Sequence, residues 1–245
     1  MKIDLSGRVA LITGSTAGIG EATAQALADA WAHVVINGRD AGHVQDVARR
    51  HGGQGITADV GTAAGAATVI GQLPDADILV NNIGMFAAQP VFEIPDAEWL
   101  RFYEVNVLSG VRLTRHYAPR MAERGWGRVI FVSSEAAIQT PTNMVHYGMT
   151  KTAQLALSRG MAQQVAGTGV TINAVLPGPT MSDGVLAMWD RLYPGLDRDE
   201  QEARFVASGR AGQLAPGPAH PAQRSSKPNH LPGLRPGISN DRSRA

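Results

Sequence analysis

A glycine-rich segment between a predicted strand and a predicted helix constrains the fold of this chain more than any other feature. Residues 8–13 form a short apolar run of the kind found in buried parallel strands. Residues 14–20 contain three glycines, and apolar residues recur with helical spacing from Ile19 onward. Strand, turn and helix together place backbone N–H groups and a positive dipole end where they can bind a pyrophosphate. A plain tight turn is the alternative for this segment taken alone.

Apolar segments along the chain predict the remaining strands of a parallel sheet, at residues 33–37, 54–60, 77–80, 128–134 and 170–175. Helical patterns lie between them, among them residues 96–124 and 146–166. This alternation predicts an α/β fold, a Rossmann-type doubly wound parallel sheet, within a single large domain.

Composition excludes several classes of protein. The chain has 245 residues and no cysteine, so it has no disulfide framework, thiolate metal site or cysteine nucleophile, and no metal site is expected. No apolar run approaches the roughly 20 residues that cross a membrane. The N-terminus lacks the basic, apolar and small-residue succession of a signal peptide. We therefore expect a cytoplasmic protein without a membrane partner.

The composition changes near residue 208. Residues 207–245 hold six basic residues, one acidic residue and six of the 14 prolines, without helical or strand periodicity. We therefore predict a domain over residues 1–208 and a disordered tail over residues 209–245. The tail has no aromatic residue for base stacking, so a nucleic-acid partner is not expected.

Tyr147 and Lys151 are four residues apart in a predicted helix and therefore share one face. A fixed ammonium favours the ionised form of a tyrosine, whose ordinary pKa is about 10, and moves its pKa towards the range useful for proton transfer. This pair also occurs often by chance. Two serines, Ser133 and Ser134, end the fifth predicted strand, where ligands bind in open parallel sheets. Asn106 lies within a long helical pattern and needs hydrogen-bond partners if it is buried.

Jointly, these features resemble the short-chain dehydrogenase/reductase family, in its shorter-chain branch. The resemblance covers residues 5 to about 208 and rests on the Gly-x-x-x-Gly-x-Gly spacing, Asn82, Gly84, Asn106, Ser134, Tyr147, Lys151, Pro177 and Gly178. It implies an NAD(P)-dependent oxidoreductase that transfers hydride reversibly between NADP(H) and a carbonyl compound or secondary alcohol. No nucleophile elbow or matching His–Asp set supports a hydrolase.

The resemblance also assigns roles to the catalytic residues. It implies that Tyr147 is the acid/base, and that Lys151 lowers the pKa of the tyrosine and holds the ribose. The family's serine lies 13 residues before its tyrosine, which selects Ser134 to orient the substrate oxygen. Asn106, 41 residues before Tyr147, is expected to bend its helix and hold a water that contacts the lysine. His146 is expected to be a surface or packing residue, although it adjoins Tyr147.

The implied dinucleotide contacts come from the glycine-rich loop, the ends of the third and fourth strands, the catalytic helix and the segment after the sixth strand. They are Gly14, Ser15, Thr16, Gly18, Ile19, Gly20, Asp59, Val60, Asn82, Gly84, Tyr147, Lys151, Pro177, Gly178 and Thr180. Ser182 is a second candidate beside Thr180. Asp59 has an alternative interpretation as the N-cap of the next helix. Residues 183–206 are expected to form substrate-covering helices, or else ordinary packing helices.

Arg39 favours NADP over NAD. Gly38 stands where NAD-preferring relatives carry aspartate, and a guanidinium can bind a 2′-phosphate through two hydrogen bonds. Asp40, which follows directly, and Ala17, where many NADP enzymes have a basic residue, weaken this prediction. NAD and an exposed loop arginine remain the alternatives.

Two departures from the family concern the stability of the fold. Trp31 stands where relatives usually have a glycine with positive φ at a helix end, so the turn either differs locally or is strained. After residue 210 the family pattern stops, and the seventh strand is predicted to be missing. The resemblance implies a homo-oligomer, and losing the terminal strand leaves either a dimer or an impaired tetramer.

The tail suggests a frame-shifted gene. Codons can be chosen from Ala215 onward whose next reading frame encodes a segment that resembles the absent family terminus. A reading-frame change near residue 210 is therefore our hypothesis, and early stop codons in the shifted frame of the gene would contradict it. The alternative function is an inactive dinucleotide-binding relative, crippled by this truncated or frame-shifted terminus.

Overall fold

A computed structural model of the chain describes residues 3–178 and 180–207. Its six parallel strands form one sheet in the order β3-β2-β1-β4-β5-β6. The strands are β1 (Val9–Ile12), β2 (His33–Gly38), β3 (Gln54–Thr57), β4 (Ile78–Asn81), β5 (Gly127–Val132) and β6 (Val170–Val175). The order reverses between β1 and β4, which opens a crevice at their carboxyl ends. The predicted Rossmann-type sheet is confirmed.

Helices cover both faces of this sheet. They are α1 (Gly18–Asp29), α2 (Ala41–Arg50), α3 (Ala63–Gln72), α4 (Asp96–Tyr103), α5 (Ser109–Glu123), α6 (Val145–Gln164), α7 (Asp183–Leu192) and α8 (Arg198–Ala207). A π-helical turn at Glu104–Leu108 joins α4 to α5, so the single long helix expected there is bent. Within residues 3–178 and 180–207, no helix has the length and apolarity needed to span a membrane.

Alternating side chains of the strands supply two buried apolar clusters, one on each face. Leu11, Leu79 and Phe131 pack with residues of α3 and α5 on one face. Ile12 and Ile36 belong to the cluster on the other face, with residues of α1 and α2. Because both faces are covered, the strands are nearly continuous apolar runs, and this is why the sequence revealed them.

The predictions for the C-terminal end fall outside the described residues. The missing seventh strand, the disordered tail over residues 209–245 and the frame change all concern residues 208–245. Within the described part of the chain, β6 pairs with β5 alone.

Trp31 has the positive φ that the sequence predicted for a glycine position. Its φ is +66°, and its N–H donates to the Ala28 carbonyl at 2.8 Å while the N–H of Ala32 donates to Leu27 at 3.0 Å. This pair of bonds closes the last turn of α1 as a Schellman motif. The end of α2 has the same pattern with Gly52, whose φ is +63°. The turn is therefore the family's ordinary one, and Trp31 carries the strain.

Replacing Trp31 by glycine should stabilise the protein. A left-handed conformation costs an L-residue about 1–2 kcal/mol, and glycine avoids that cost while gaining some freedom in the unfolded state. The Trp31 side chain is 58% exposed, so little packing is lost. We expect Trp31→Gly to raise the free energy of unfolding by about 1 kcal/mol in urea titrations.

Trp31→Ala is the matched control, because it removes the indole and keeps the strained β-carbon. It should bring less than half of the gain of the glycine variant. Equal stability for the parent and the glycine variant would show that the indole compensates the backbone strain.

Candidate active site

The glycine-rich turn after β1 leaves a helix N-terminus open to an anion. Gly14 and Gly18 have φ of +60° and +57°, and a β-carbon at Gly14 would lie 3.3 Å from the Ile83 Cα. Ala17 precedes α1 without a side-chain cap. The N–H groups of the first turn of α1 therefore have no intrahelical acceptor and no capping side chain. This backbone fits the pyrophosphate of a dinucleotide.

Asn82 fastens the turn after β4 to the glycine-rich loop. Its amide Nδ2 donates to the carbonyls of Thr13 and Gly14 at 2.8 and 3.0 Å. The Thr13 Oγ1 accepts from the N–H groups of Asn82 and Ile83 at 2.9 and 3.0 Å. Ile83 is partly buried and packs against the core cluster beside α3 and α5. Asn82 thus acts on a ligand through the loop that it supports.

Ser15 and Asn37, two polar residues at the glycine-rich loop, hydrogen-bond to the backbone of neighbouring segments. The buried Ser15 hydroxyl donates to the Ile12 carbonyl at 2.7 Å and accepts from the Asn37 N–H at 3.0 Å. The Asn37 amide donates to the Ile56 and Ala58 carbonyls, each at 3.1 Å, and so ties β2 to the end of β3. The Ser15 N–H also donates to the Asn37 carbonyl, at 2.9 Å, so both its hydroxyl and its N–H are engaged within the protein.

A side chain at position 38 would be crowded at the carboxyl end of β2. A β-carbon at Gly38 would lie 2.7 Å from the Thr16 Cγ2 and 3.0 Å from the Val44 Cγ2. The neighbouring Asp40 caps α2, since its Oδ1 accepts from the His43 N–H at 2.8 Å. Arg39 between them is exposed.

The alternative interpretation of Asp59 as an N-cap is wrong. Thr62 caps α3, accepting from the Gly65 N–H at 3.0 Å, because it stands directly before the first helical residue. The exposed Asp59 closes a turn with the Gly61 N–H at 3.0 Å. The side chain of Val60 is buried in the core, which leaves its backbone for an adenine contact.

The segment after β6 reaches the glycine-rich loop. The Pro177 carbonyl accepts from the Glu135 N–H at 3.1 Å, and the Thr180 hydroxyl donates to the Gly178 carbonyl at 3.0 Å. Ser182 caps α7, and its Cβ lies 3.6 Å from the position of a β-carbon at Gly18. Of the two candidate dinucleotide contacts after β6, Thr180 and Ser182, Ser182 is therefore the one beside the glycine-rich loop.

Lys151 is a buried ammonium group beside the Tyr147 ring. Its side chain donates to the Val132 carbonyl at 2.8 Å, and its Nζ lies 5.6 Å from the centroid of the Tyr147 ring. Burial lowers the pKa of Lys151 to about 8. A cation at this distance stabilises a tyrosinate. Gly84 adjoins the same point, since a β-carbon there would lie 3.4 Å from the Lys151 Nζ.

The two serines at the end of β5 have different surroundings. The Ser133 hydroxyl donates to the Lys151 carbonyl at 2.9 Å and ties β5 to α6. The Ser134 Oγ accepts from the Ala136 N–H at 3.1 Å and begins a short 3-10 turn. These contacts leave Ser134 as the serine for substrate, which agrees with its spacing from Tyr147.

Asn106 lies in the π-helical turn and binds the loop after β4. Its Oδ1 accepts from the Met85 N–H at 2.8 Å, and its Nδ2 donates to the Met85 carbonyl at 3.0 Å. The same Nδ2 donates to the Thr150 hydroxyl at 2.9 Å. A π-helical turn lies where the resemblance implies a bend, and the Asn106 amide holds protein groups on both sides.

Sequence reasoning missed two residues of this network, Thr150 and Gln154. The Thr150 hydroxyl donates to the Tyr147 carbonyl at 2.7 Å. The Gln154 Nε2 donates to the Asn106 carbonyl at 2.6 Å; the side chain is buried, and its Oε1 has no hydrogen-bond partner among the described residues. Their spacing from Tyr147 on one helix was the available signal. His146, by contrast, packs against Phe102 at 3.9 Å between ring centroids, as a packing residue.

Comparisons with known proteins agree with this arrangement. The model of the short chain dehydrogenase family matches residues 8–190. The chain is 48% identical over 219 residues to the uncharacterized oxidoreductase YvaG of Bacillus subtilis, covering 86% of this chain and 83% of that protein. It is 37% identical over 190 residues to the 7α-hydroxysteroid dehydrogenase of Escherichia coli K12, covering 74% of each.

A solved structure has the same fold. L-sorbose reductase from Gluconobacter frateurii, in complex with NADPH and L-sorbose, superposes with a TM-score of 0.77 at 29% identity. The match covers 84% of this chain and 82% of the reductase.

Replacing Gln154 by glutamate tests the network through the pH dependence of stability. A carboxyl group of this shape can donate to the Asn106 carbonyl only when protonated, so folding raises its pKa above the unfolded value of about 4.3. The contribution to stability is fully present below that value and is lost as the pH rises through the raised pKa. In urea unfolding we expect Gln154→Glu to cost about 2 kcal/mol at pH 7.5 and much less at pH 5.

Gln164→Glu, at an exposed position of the same helix, is the matched control. It should change stability by less than about 0.5 kcal/mol at either pH. A loss of equal size at both pH values for the Gln154 variant would contradict a hydrogen bond from this side chain.

Proposed function

Since the chain belongs to the short-chain dehydrogenase family and is an NAD(P)-dependent oxidoreductase, we propose that it interconverts a carbonyl compound and a secondary alcohol. The proposed cofactor is NADP(H), and Tyr147 is the proposed acid/base. The observation that carries this proposal is the buried Lys151 ammonium beside the Tyr147 ring. A lysine side chain is almost never fully buried unless it is paired or has a function.

The residues divide the work among orientation, proton transfer and exclusion of water. When bound, the nicotinamide supplies or accepts the hydride. In the direction of reduction, Ser134 donates a hydrogen bond to the substrate oxygen and orients it. The Tyr147 hydroxyl gives its proton to that oxygen, and the Lys151 ammonium stabilises the tyrosinate that remains. In oxidation the tyrosinate takes the proton back.

Asn106 is assigned a positioning role. Its amide holds both backbone groups of Met85 and the Thr150 hydroxyl, and Thr150 in turn holds the Tyr147 carbonyl. Asn106 thereby joins the loop after β4 to α6, the helix that carries Tyr147. The water that the family resemblance attributes to Asn106 stays a prediction, as does the cytoplasmic location.

NADP is the proposed cofactor because of the end of β2. Gly38 supplies no carboxylate to bind an unphosphorylated ribose, a side chain there would displace Thr16 or Val44, and Asp40 is used as a helix cap. The exposed Arg39 then supplies a positive charge for a 2′-phosphate. The NADPH in the L-sorbose reductase complex supports this choice.

A homo-oligomer through α4 and α5 is also proposed. Leu100 and Tyr103, three residues apart on α4, are 69% and 41% exposed, which leaves an apolar surface for a second copy to cover. The alternative of an inactive dinucleotide-binding protein is not favoured by the comparisons, whose relatives are oxidoreductases and dehydrogenases.

The proposed function is tested by NADPH oxidation with a panel of ketones and aldehydes. We expect turnover by the parent, and we expect Tyr147→Phe to lower kcat at least about 100-fold, the usual share of a general acid. NADPH binding, measured by fluorescence, should stay within about twofold of the parent. Unchanged turnover in Tyr147→Phe would contradict the assignment.

The cofactor arm of this experiment compares NADPH with NADH. Arg39→Gln should raise the KM for NADPH about tenfold, because a charge-assisted contact to phosphate is lost, and should leave the KM for NADH within about twofold. Arg159→Gln, at an exposed position of α6, is the control for a lost surface charge. A parent that prefers NADH would overturn the choice of NADP.

A further inference from the structure

Phe86 forms a wall beside the acid/base that neither the motifs nor the comparisons assign. Its ring lies 6.2 Å from the Tyr147 ring between centroids, at an interplanar angle of 68°, which is an edge-to-face contact. Its other side reaches α7, where a β-carbon at Gly184 would lie 3.4 Å from the Phe86 Cζ. Phe86 therefore lies between Tyr147 and the first turn of α7.

The backbone next to Phe86 is held firmly. Asn106 binds both the N–H and the carbonyl of Met85, the preceding residue, at 2.8 and 3.0 Å. A wall built on a fixed backbone discriminates between substrate shapes better than one on a free loop, because moving it costs those bonds.

The surface that continues from Phe86 is apolar. Met188, Trp189 and Phe205 are buried together between α7 and α8, and Phe86 packs against this cluster with Val185, Leu186 and Tyr193. Val185 and Leu186 of α7 are only partly buried, so they add apolar surface beside Phe86. Packing an apolar group of the substrate here would be favourable, because it removes that group from water.

The charges around this wall do not suit an anion. The Asp190 carboxylate and the Arg198 guanidinium bond to each other at 2.8 and 3.1 Å on the exposed side of α7 and α8. Glu135, directly after Ser134, places its Oε2 3.4 Å from the position of a β-carbon at Gly178. The Lys151 ammonium donates to the Val132 carbonyl. A carboxylate on the substrate would thus be close to the Glu135 side chain, and the Arg198 guanidinium is already paired with Asp190.

We propose that Phe86 determines specificity, and that the substrate is an uncharged ketone or secondary alcohol with an apolar ring next to the reacting carbon. This inference rests on the proposed function, which supplies Tyr147 as the acid/base. The ring of the substrate packs against Phe86 and α7 while its oxygen meets Ser134 and Tyr147. A phosphate or carboxylate in the same place is disfavoured.

A matched pair of ketones tests the charge requirement. We compare 4-methylacetophenone with 4-acetylbenzoate, which differ in a methyl group and a carboxylate at the same position of the ring. The parent should reduce the methyl compound with a kcat/KM at least about tenfold higher. Equal values for the two compounds would overturn the proposal.

Variants of Phe86 test the wall itself. Phe86→Ala should lower kcat/KM for 4-methylacetophenone about tenfold, mainly through KM, and should leave 2-butanone within about twofold. Phe86→Leu should keep part of the preference, because it remains apolar. Phe92→Ala removes a fully exposed phenylalanine of the same loop region and should have no effect. A Phe86→Ala variant that slows every ketone equally would show a structural role instead.

Binding to the NADP⁺-loaded protein separates this inference from the proposed function. Isothermal titration calorimetry with the alcohols of the same pair should give at least about tenfold tighter binding for the methyl compound. That preference without any turnover would support the apolar site and contradict the proposed reaction. Equal binding of the two alcohols would overturn the inference whether or not the chain is active.

Discussion

The site depends on keeping the ammonium of Lys151 charged while it is buried beside Tyr147. Burial disfavours the cation, and the fall of its pKa from 10.5 to about 8 corresponds to about 3 kcal/mol. The Val132 carbonyl offsets part of this cost with a hydrogen bond at 2.8 Å. The two apolar clusters of the sheet supply the rest of the stability that holds the group in place. Neutral pH leaves the ammonium protonated, which is the state that would stabilise a tyrosinate at Tyr147.

The remainder of the fold places three segments around this pair. Asn82 joins the glycine-rich loop to the turn after β4, and Asn106 joins that turn to α6 through Met85 and Thr150. The π-helical turn makes the second link possible, since it bends the helix at Asn106. The Gln154 side-chain amide then donates a hydrogen bond to the Asn106 carbonyl. The glycine-rich loop, the loop that carries Phe86 and the helix that carries Tyr147 are therefore parts of one hydrogen-bonded framework.

The sequence predicted what depends on local pattern and missed what depends on packing. Apolar runs located all six described strands, whereas the sequence left open whether the turn at Trp31 differs locally or is strained, and its positive φ decides for strain. Spacing chose Ser134 over Ser133, and the contacts of Ser133 with α6 agree with that choice. Gln154 and Thr150 resemble any polar residues of a helix until the helix is packed on the π-helical turn. The alternative interpretation made Asp59 the N-cap of α3, but Thr62 is the N-cap. Both types of residue cap helices, and only the observed start of the helix distinguishes them.

The central claim is that Lys151 lowers the pKa of Tyr147, and a titration of tyrosinate absorbance measures it directly. The chain has four tyrosines, so the difference between the parent and Tyr147→Phe isolates the titration of Tyr147. We predict a midpoint clearly below the ordinary value of about 10, and a shift to higher pH in Lys151→Met. The same midpoint with and without the lysine would contradict it.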